Sequence, residues 1–295
     1  MKDERTRGVL ALVAITAMWG VSFPLVGEAV EGRTPGQVLL FLFLRFALAT
    51  VAFLPVLRPL VRASVGRGRG PWALSLGIGV LFFVGFLLQS FGLQHTSPSR
   101  SAFVTVLSVP MVPFLAALRH RRAPSRVHVV GSLIATLGIG LVLSPGGKLA
   151  PNLGDWLTLA SAFVFALVVL WIEHATRRAP TIIVAVGQIA GVALCAAVSL
   201  LFVPVELPET WPGLWVGVGV TGLVCTTLAL AGMTWGQARV SAEVAAVIFA
   251  LEPVFATIFV VSFFDEALGQ LQVLGGLVVF VAVAWSARVP VEAGS

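Results

Sequence analysis

The chain has 295 residues, 58% of them apolar and only 11% charged, with a mean hydropathy of +1.01. That balance excludes an ordinary water-soluble domain. The net charge of +6 invites a nucleic-acid reading, which the placement of the charges removes.

Ten apolar stretches of spanning length follow one another, at residues 8–27, 37–57, 72–93, 99–118, 127–144, 154–173, 181–203, 212–234, 241–263 and 268–286. A bilayer core needs about 20 mostly apolar residues per helix, so the expected fold is an all-α integral membrane protein with ten transmembrane helices. Span 1 follows basic residues as a signal peptide would. It is longer than a signal h-region and leads into a span-rich chain, so a retained helix is expected. With the amino terminus in the cytoplasm, Lys2, Arg5, Arg7, Arg58, Arg62, Arg67, Arg69, Arg119, Arg121, Arg122, Arg126, Arg177, Arg178, Arg239 and Arg288 lie inside. Arg33, Arg100 and Lys148 lie outside, among the acids Glu28, Glu31, Glu206, Glu209, Asp265 and Glu266. This is the positive-inside bias, and it predicts a multi-pass protein of the cytoplasmic membrane with both termini inside. The lipid bilayer, not nucleic acid, is the partner these charges imply.

Five spans per half place two copies of one segment in opposite orientations, residues 1–147 and 148–295, as a 5+5 inverted repeat forming one bundle. An offset of 144–146 residues aligns Gly8 with Gly154, Pro35 with Pro180, the run 97–107 with 241–251, and Gly131-Ser132 with Gly275-Gly276. Any one match could arise by chance between apolar helices; the near-constant offset is the stronger signal. Proline follows the same symmetry. Pro24 interrupts span 1, Pro110 and Pro113 interrupt span 4, and Pro253 interrupts span 9. A mid-helix proline removes a hydrogen bond and bends the helix, and interrupted helices at matching places point to a substrate site and its hinges. Static packing kinks are the other reading.

Two charges fall well inside spans. Arg45 lies roughly 12 Å below the outer boundary at about 1.5 Å per residue, and Glu252 lies at about the same depth in a core of about 30 Å. Isolated charges there cost at least about 2.5–3.5 kcal/mol each, so the two either pair or face a wet cavity. The polar side chains Ser22, Gln89, Thr105, Ser108, Gln188 and Thr234 share the spans with the aromatics Trp19, Phe23, Phe86, Phe163, Trp171, Trp235 and Phe249. A few polar groups among many aromatics is the usual lining of a small-molecule site, although most bundle aromatics are simply packing. The candidate cavity set is therefore both charges, these seven aromatics, and Ser22, Gln89, Thr105 and Gln188. Trp211 and Trp285, near span ends, fit an interfacial belt.

Nothing in the pattern suggests catalysis. His95, His120, His128 and His174 fall in loops or at span ends, and no Asp lies within a span, so no nucleophile–base pair, metal cluster or cofactor site is expected. Cys195 and Cys225 lack metal-ligand spacing and read as small packing residues. Gly217-Val218-Gly219-Val220-Thr221-Gly222 matches the dinucleotide fingerprint by letter only, since it lies inside a span without the strand-to-helix context. Gly131, Gly138, Gly140, Gly275 and Gly276 are candidates for close contact between the repeats or between protomers, which leaves a homodimer open.

The chain resembles the drug/metabolite transporter superfamily, in its EamA-domain group of ten-helix carriers. The likeness rests on Met18-Trp19-Gly20-Val21-Ser22-Phe23, Arg45-Phe46, Thr96-Ser97-Pro98-Ser99-Arg100-Ser101-Ala102-Phe103-Val104, Arg239-Val240-Ser241-Ala242-Glu243 and Leu251-Glu252-Pro253-Val254. It implies a central cavity and alternating-access movement of small metabolites, typically outward. Amino acids and related compounds are the expected cargo; a multidrug efflux carrier, or a non-transporting sensor or assembly subunit, is the alternative. The related four-helix multidrug carriers use a glutamate in the middle of their first helix for proton exchange. Here Ala14-Ile15-Thr16-Ala17-Met18-Trp19-Gly20 has none, so facilitated diffusion stands beside proton coupling.

Overall fold

The computed structural model describes residues 2–66, 68–119, 121, 123, 126–144, 150–263 and 268–286. Arg67, His120, Arg122, Lys148, Asp265, Glu266 and Arg288, assigned to loops above, lie outside the described residues. Among the described residues there are helices and turns and no strand. Eight helical stretches are long and apolar enough to cross a bilayer: Asp3–Val30, Pro35–Val56, Gly70–Leu93, Pro98–Arg119, Leu153–Thr176, Thr181–Leu200, Leu214–Gln237 and Val244–Phe263. The expected fifth and tenth spans are shorter: α7 (Arg126–Val142) and α14 (Gln270–Ser286) have 17 residues each, or about 26 Å. They pack on each other through glycine, a Cβ at Gly138 falling 2.8 Å from the Gly275 carbonyl oxygen. Gly140 has open space beside it instead.

The remaining helices are α1 (Lys2–Val30), α2 (Pro35–Val51), α3 (Leu57–Ser64), α4 (Gly70–Leu93), α5 (Pro98–Thr105), α6 (Ser108–Arg119), α8 (Leu153–Thr176), α9 (Thr181–Leu200), α10 (Leu214–Gly222), α11 (Ala229–Gln237), α12 (Ala242–Phe249) and α13 (Glu252–Phe263). Their starts are written locally. Thr34 and Gln37 form a reciprocal capping box at α2, Asn152 and Asp155 one at α8, and Ser97 and Ser241 cap α5 and α12. Each cap satisfies amide donors that a helix start leaves unpaired.

The helix breaks correct the positions assigned to the prolines. Pro24 lies inside an uninterrupted α1, and Pro113 inside α6. The interruptions fall at 106–107 and 250–251, upstream of Pro110 and Pro253. A proline ring clashes with the carbonyl four residues earlier and withholds its own N–H, so the break precedes the proline, which then sits harmlessly in the first turn of the next helix. The two breaks match in detail. Eight-residue helices, α5 and α12, lead into twelve-residue helices, α6 and α13.

A second pair of equivalent contacts lies at opposite ends of the bundle. A Cβ at Gly236 would meet Leu12 Cγ at 2.7 Å and the Gly8 oxygen at 3.2 Å; one at Gly92 would meet Thr158 Oγ1 at 2.7 Å and the Gly154 oxygen at 3.0 Å. Glycine permits both close approaches.

Candidate functional site

Between the two broken helices lies a narrow cavity of about 60 Å³, room for several waters at about 10–15 Å³ each. Its walls come from both halves of the chain. Residues before 144 contribute Trp19, Ser22, Arg45, Phe82, Phe86, Gln89, Thr105 and Ser108; those after 152 contribute Phe165, Val168, Val169, Met233, Phe249 and Glu252. Most of these fall into equivalent pairs: 19/165 and 22/168 are 146 apart, while 89/233, 105/249 and 108/252 are 144 apart. Chemically the pairs are unlike. The first half supplies the cation and four uncharged polar groups, and the second an apolar wall with one carboxylate.

A π-helical turn at Leu223–Leu228, between α10 and α11, positions the most important side chains. Such turns interrupt the regular ladder and recur at functional sites. Here the Cys225 carbonyl accepts from Trp19 Nε1 at 3.1 Å, Cys225 Sγ donates to the Met18 carbonyl at 3.1 Å, and Thr226 Oγ1 accepts from Arg45 Nε at 2.8 Å. Gly222, one of the fingerprint-like glycines, allows this approach, since a Cβ there would lie 3.0 Å from the Arg45 carbonyl oxygen. Cys225 is therefore a helix-to-helix donor as well as a packing residue.

Arg45 is 3% exposed and lies over the rings of Phe86 and Phe46, at 5.1 and 5.3 Å from their centroids. A guanidinium carries five N–H donors. Thr226 takes one, and no ion pair joins Arg45 to Glu252 within 4.0 Å among the described residues. Both charges line one cavity without meeting. Two aromatic groups flank them: Trp19 with Phe249 at 5.2 Å, and Phe82, Phe86 and Phe165, with Phe86 edge-on to Phe165 at 5.3 Å. At one edge Gln89 Nε2 donates to Thr105 Oγ1 at 3.2 Å, which donates onward to the Ser101 carbonyl.

Of the thirteen candidate lining residues, eight meet here: Trp19, Ser22, Arg45, Phe86, Gln89, Thr105, Phe249 and Glu252. Five do not. Phe23 is packed in the core. Phe163 faces outward, 46% exposed, because residues two apart on a helix point in nearly opposite directions, and Phe165 takes the cavity side. Trp171 lies at the periphery under Arg119, and Trp235 under Arg239. Gln188 is buried between helices, donating to Thr234 Oγ1 at 2.8 Å. Trp211, expected at the lipid interface, is half-buried and donates to the Ala29 carbonyl at 2.8 Å. Sequence reasoning missed Phe82, Phe165, Val168, Val169, Met233 and the cavity's anchor Thr226. The repeat offset could have found three of them, since Trp19, Ser22 and Gln89 project onto Phe165, Val168 and Met233.

The sequence profile of the EamA-like transporter family matches residues 6–144 and again 152–288. A protein described as an uncharacterized transporter from Archaeoglobus fulgidus is 28% identical over 282 residues, covering 95% of this chain and 85% of that protein. A solved crystal structure, named only as a protein, matches the fold with a TM-score of 0.67 at 19% identity, covering 94% of this chain and 95% of the other.

Proposed function

The chain belongs to the EamA-like transporter family, within the drug/metabolite transporter superfamily, and from that premise we propose that it is a secondary carrier of small metabolites working by alternating access. In this reading ten transmembrane helices form a 5+5 inverted repeat dividing near residue 147. The protein sits in the cytoplasmic membrane with both termini inside and exports its cargo. The equivalent contacts Gly8–Gly236 and Gly154–Gly92, at opposite ends, support the inversion. The arginine distribution supports the orientation.

The observation that carries the proposal is the unpaired placement of Arg45 and Glu252 on one cavity between the helix breaks. A buried guanidinium and a carboxylate that do not neutralise each other are matched by an occupant bearing both charges. Amino acids and related zwitterions fit: carboxylate toward Arg45, ammonium toward Glu252, side chain against Phe165, Phe249 and Val168. The breaks at 106–107 and 250–251 act as the hinges, because there the helical ladder tightens into single turns, the Leu107 amide donating to the Val104 carbonyl and the Leu251 amide to the Ile248 carbonyl, both at 3.1 Å.

Proteoliposomes loaded with a metabolite panel test the reading. Counterflow of at least one amino acid is expected, with Arg45→Gln reducing it about tenfold or more, since a hydrogen bond to a charged group contributes about 1.5–3 kcal/mol. Flux of hydrophobic cations alone would transfer the protein to multidrug efflux. No flux of any compound by folded protein would leave a sensor or assembly subunit instead.

A further inference from the structure

At the end of the bundle where α1 begins lies a second pocket, of about 510 Å³, whose lining includes three arginines, Arg5, Arg177 and Arg239, against one acid, Glu173, with Gln237 and Ser241. It lies next to the central cavity. Gln237 lines the second pocket and donates from Nε2 to the carbonyl of Val169, 3.2 Å away, while Val169 lines the first. Gln237 is 2% exposed, and its Oε1 has no hydrogen-bond partner among the described residues, an arrangement that costs free energy unless a donor arrives.

The electrostatics favour an anion. Arg5 has no ion-pair partner among the described residues. Arg177 is held by Glu173 at 2.8 Å, and Arg239 by Glu4 at 2.7 Å. The Arg239–Glu4 pair is 26% and 52% exposed, and pairs so wetted are weak. α12 begins on the same wall at Ser241 and adds the positive end of its dipole. Headgroup-facing arginines alone would explain a basic rim, but not a buried amide with an unused acceptor at the floor.

Resting on the transport reading, we infer that this pocket is the cytoplasmic mouth of the pathway and first binds the substrate's anionic group, a carboxylate or phosphate. Arg239 exchanges Glu4 for that group, one anion for another. Exchange unties the start of α1 from the α11–α12 turn. Gln237 is the partition between mouth and cavity, its free oxygen accepting from a hydroxyl or ammonium on the same substrate. The mouth therefore selects on the substrate's anionic group alone, a carboxylate or phosphate, and leaves the choice of the cationic group to the central cavity.

The test titrates succinate, and separately inorganic phosphate, onto the full chain in phosphatidylcholine vesicles at constant ionic strength. Tryptophan emission is the readout, because the Arg239 guanidinium lies 3.6 Å from the Trp235 ring centroid; Trp235→Phe identifies that signal. A saturable response to an anion is expected, with half-saturation about two- to fivefold lower in Glu4→Gln and about tenfold higher or more in Arg239→Gln. Succinamide, neutral and of similar shape, should give none. Equal half-saturation in all three proteins, or an equal response to succinamide, would overturn the proposal. So would loss of the response in an equal mixture with phosphatidylglycerol, which would assign the pocket to lipid headgroups. Binding without flux of any metabolite would overturn the mouth and the transport reading together. Normal flux, with no titration and an unaltered rate in Arg239→Gln, would overturn the mouth alone.

Discussion

The two ends of the bundle are closed by the same kind of contact, with unequal force. At the end where α1 finishes, Arg100 grips Asp155 through two hydrogen bonds, 2.9 Å from Nε and 2.6 Å from Nη2, with both side chains nearly buried. Thr96 Oγ1 and the Asn152 amide also donate to that carboxylate, at 2.9 and 2.8 Å. Gln94 Nε2 joins in by bonding the carbonyls of Val30 and Arg33, both at 2.7 Å. At the other end the equivalent place, between the start of a broken helix and the start of a long one, holds the half-wet Arg239–Glu4 pair, with Arg7 on Glu4 at 3.4 Å, beside an open pocket. The same two charge types thus form a lock at one end and a catch at the other. Burial makes the difference, because removing one partner of a buried pair strands the other, while water readily replaces a partner at an exposed one.

The largest expected effect breaks the lock. Asp155→Ala should cost about 3–5 kcal/mol of fold stability, read as a shifted midpoint in denaturing-detergent titration. Arg100→Leu with Asp155→Leu should recover the share owed to the stranded guanidinium, but not that of the Thr96 hydroxyl and Asn152 amide, which still lose their acceptor. A loss below about 1 kcal/mol for Asp155→Ala would erase the contrast. Next come the glycines on which each end closes. A Cβ at Gly154 falls 2.8 Å from the His95 carbonyl carbon, whereas one at Gly8 meets nothing nearer than the Arg239 Cβ at 3.0 Å. Gly154→Ala should therefore cost about 1–3 kcal/mol by overpacking, and Gly8→Ala less, since its nearest neighbours stand back at 3.0 and 3.3 Å and need give only a few tenths of an ångström. Equal losses would mean that both ends pack alike.

This contrast could not be read from the sequence, for a physical reason. Hydropathy marks long apolar segments, so the eight spanning helices and two shorter ones were legible, as were Arg45 and Glu252, whose charges are costly in a membrane. A helix apolar all round carries little facing information, so Phe163 and Phe165 cannot be told apart by pattern. The π turn at Leu223–Leu228 shifts the register within one helix, and no residue type announces it, so Thr226 stayed hidden beneath Arg45. Arg100 and Asp155 were visible as residues, yet their pairing joins positions 55 apart through a helix cap. Pro110 and Pro253 announced the breaks, though each break falls upstream of its proline.

The smallest effect in energy is the most telling about direction. Glu4→Gln should change fold stability by less than about 1 kcal/mol, because the pair is exposed. That same fraction of a kcal/mol acts directly on the balance between closed and open mouths, shifting it about two- to fivefold. Spin labels at positions 10 and 238, both on the exposed surface near the catch, should then show a larger share of long distances in Glu4→Gln than in the parent, in a background lacking Cys195 and Cys225. Labels at 31 and 156, on the exposed surface near the lock, should not move in that variant. If both pairs lengthen together, the ends are not independent closures, and the catch contributes to general rigidity. If only the first pair lengthens, the mouth at the start of α1 opens while the lock holds, which is the asymmetry that alternating access needs at one stage of its cycle.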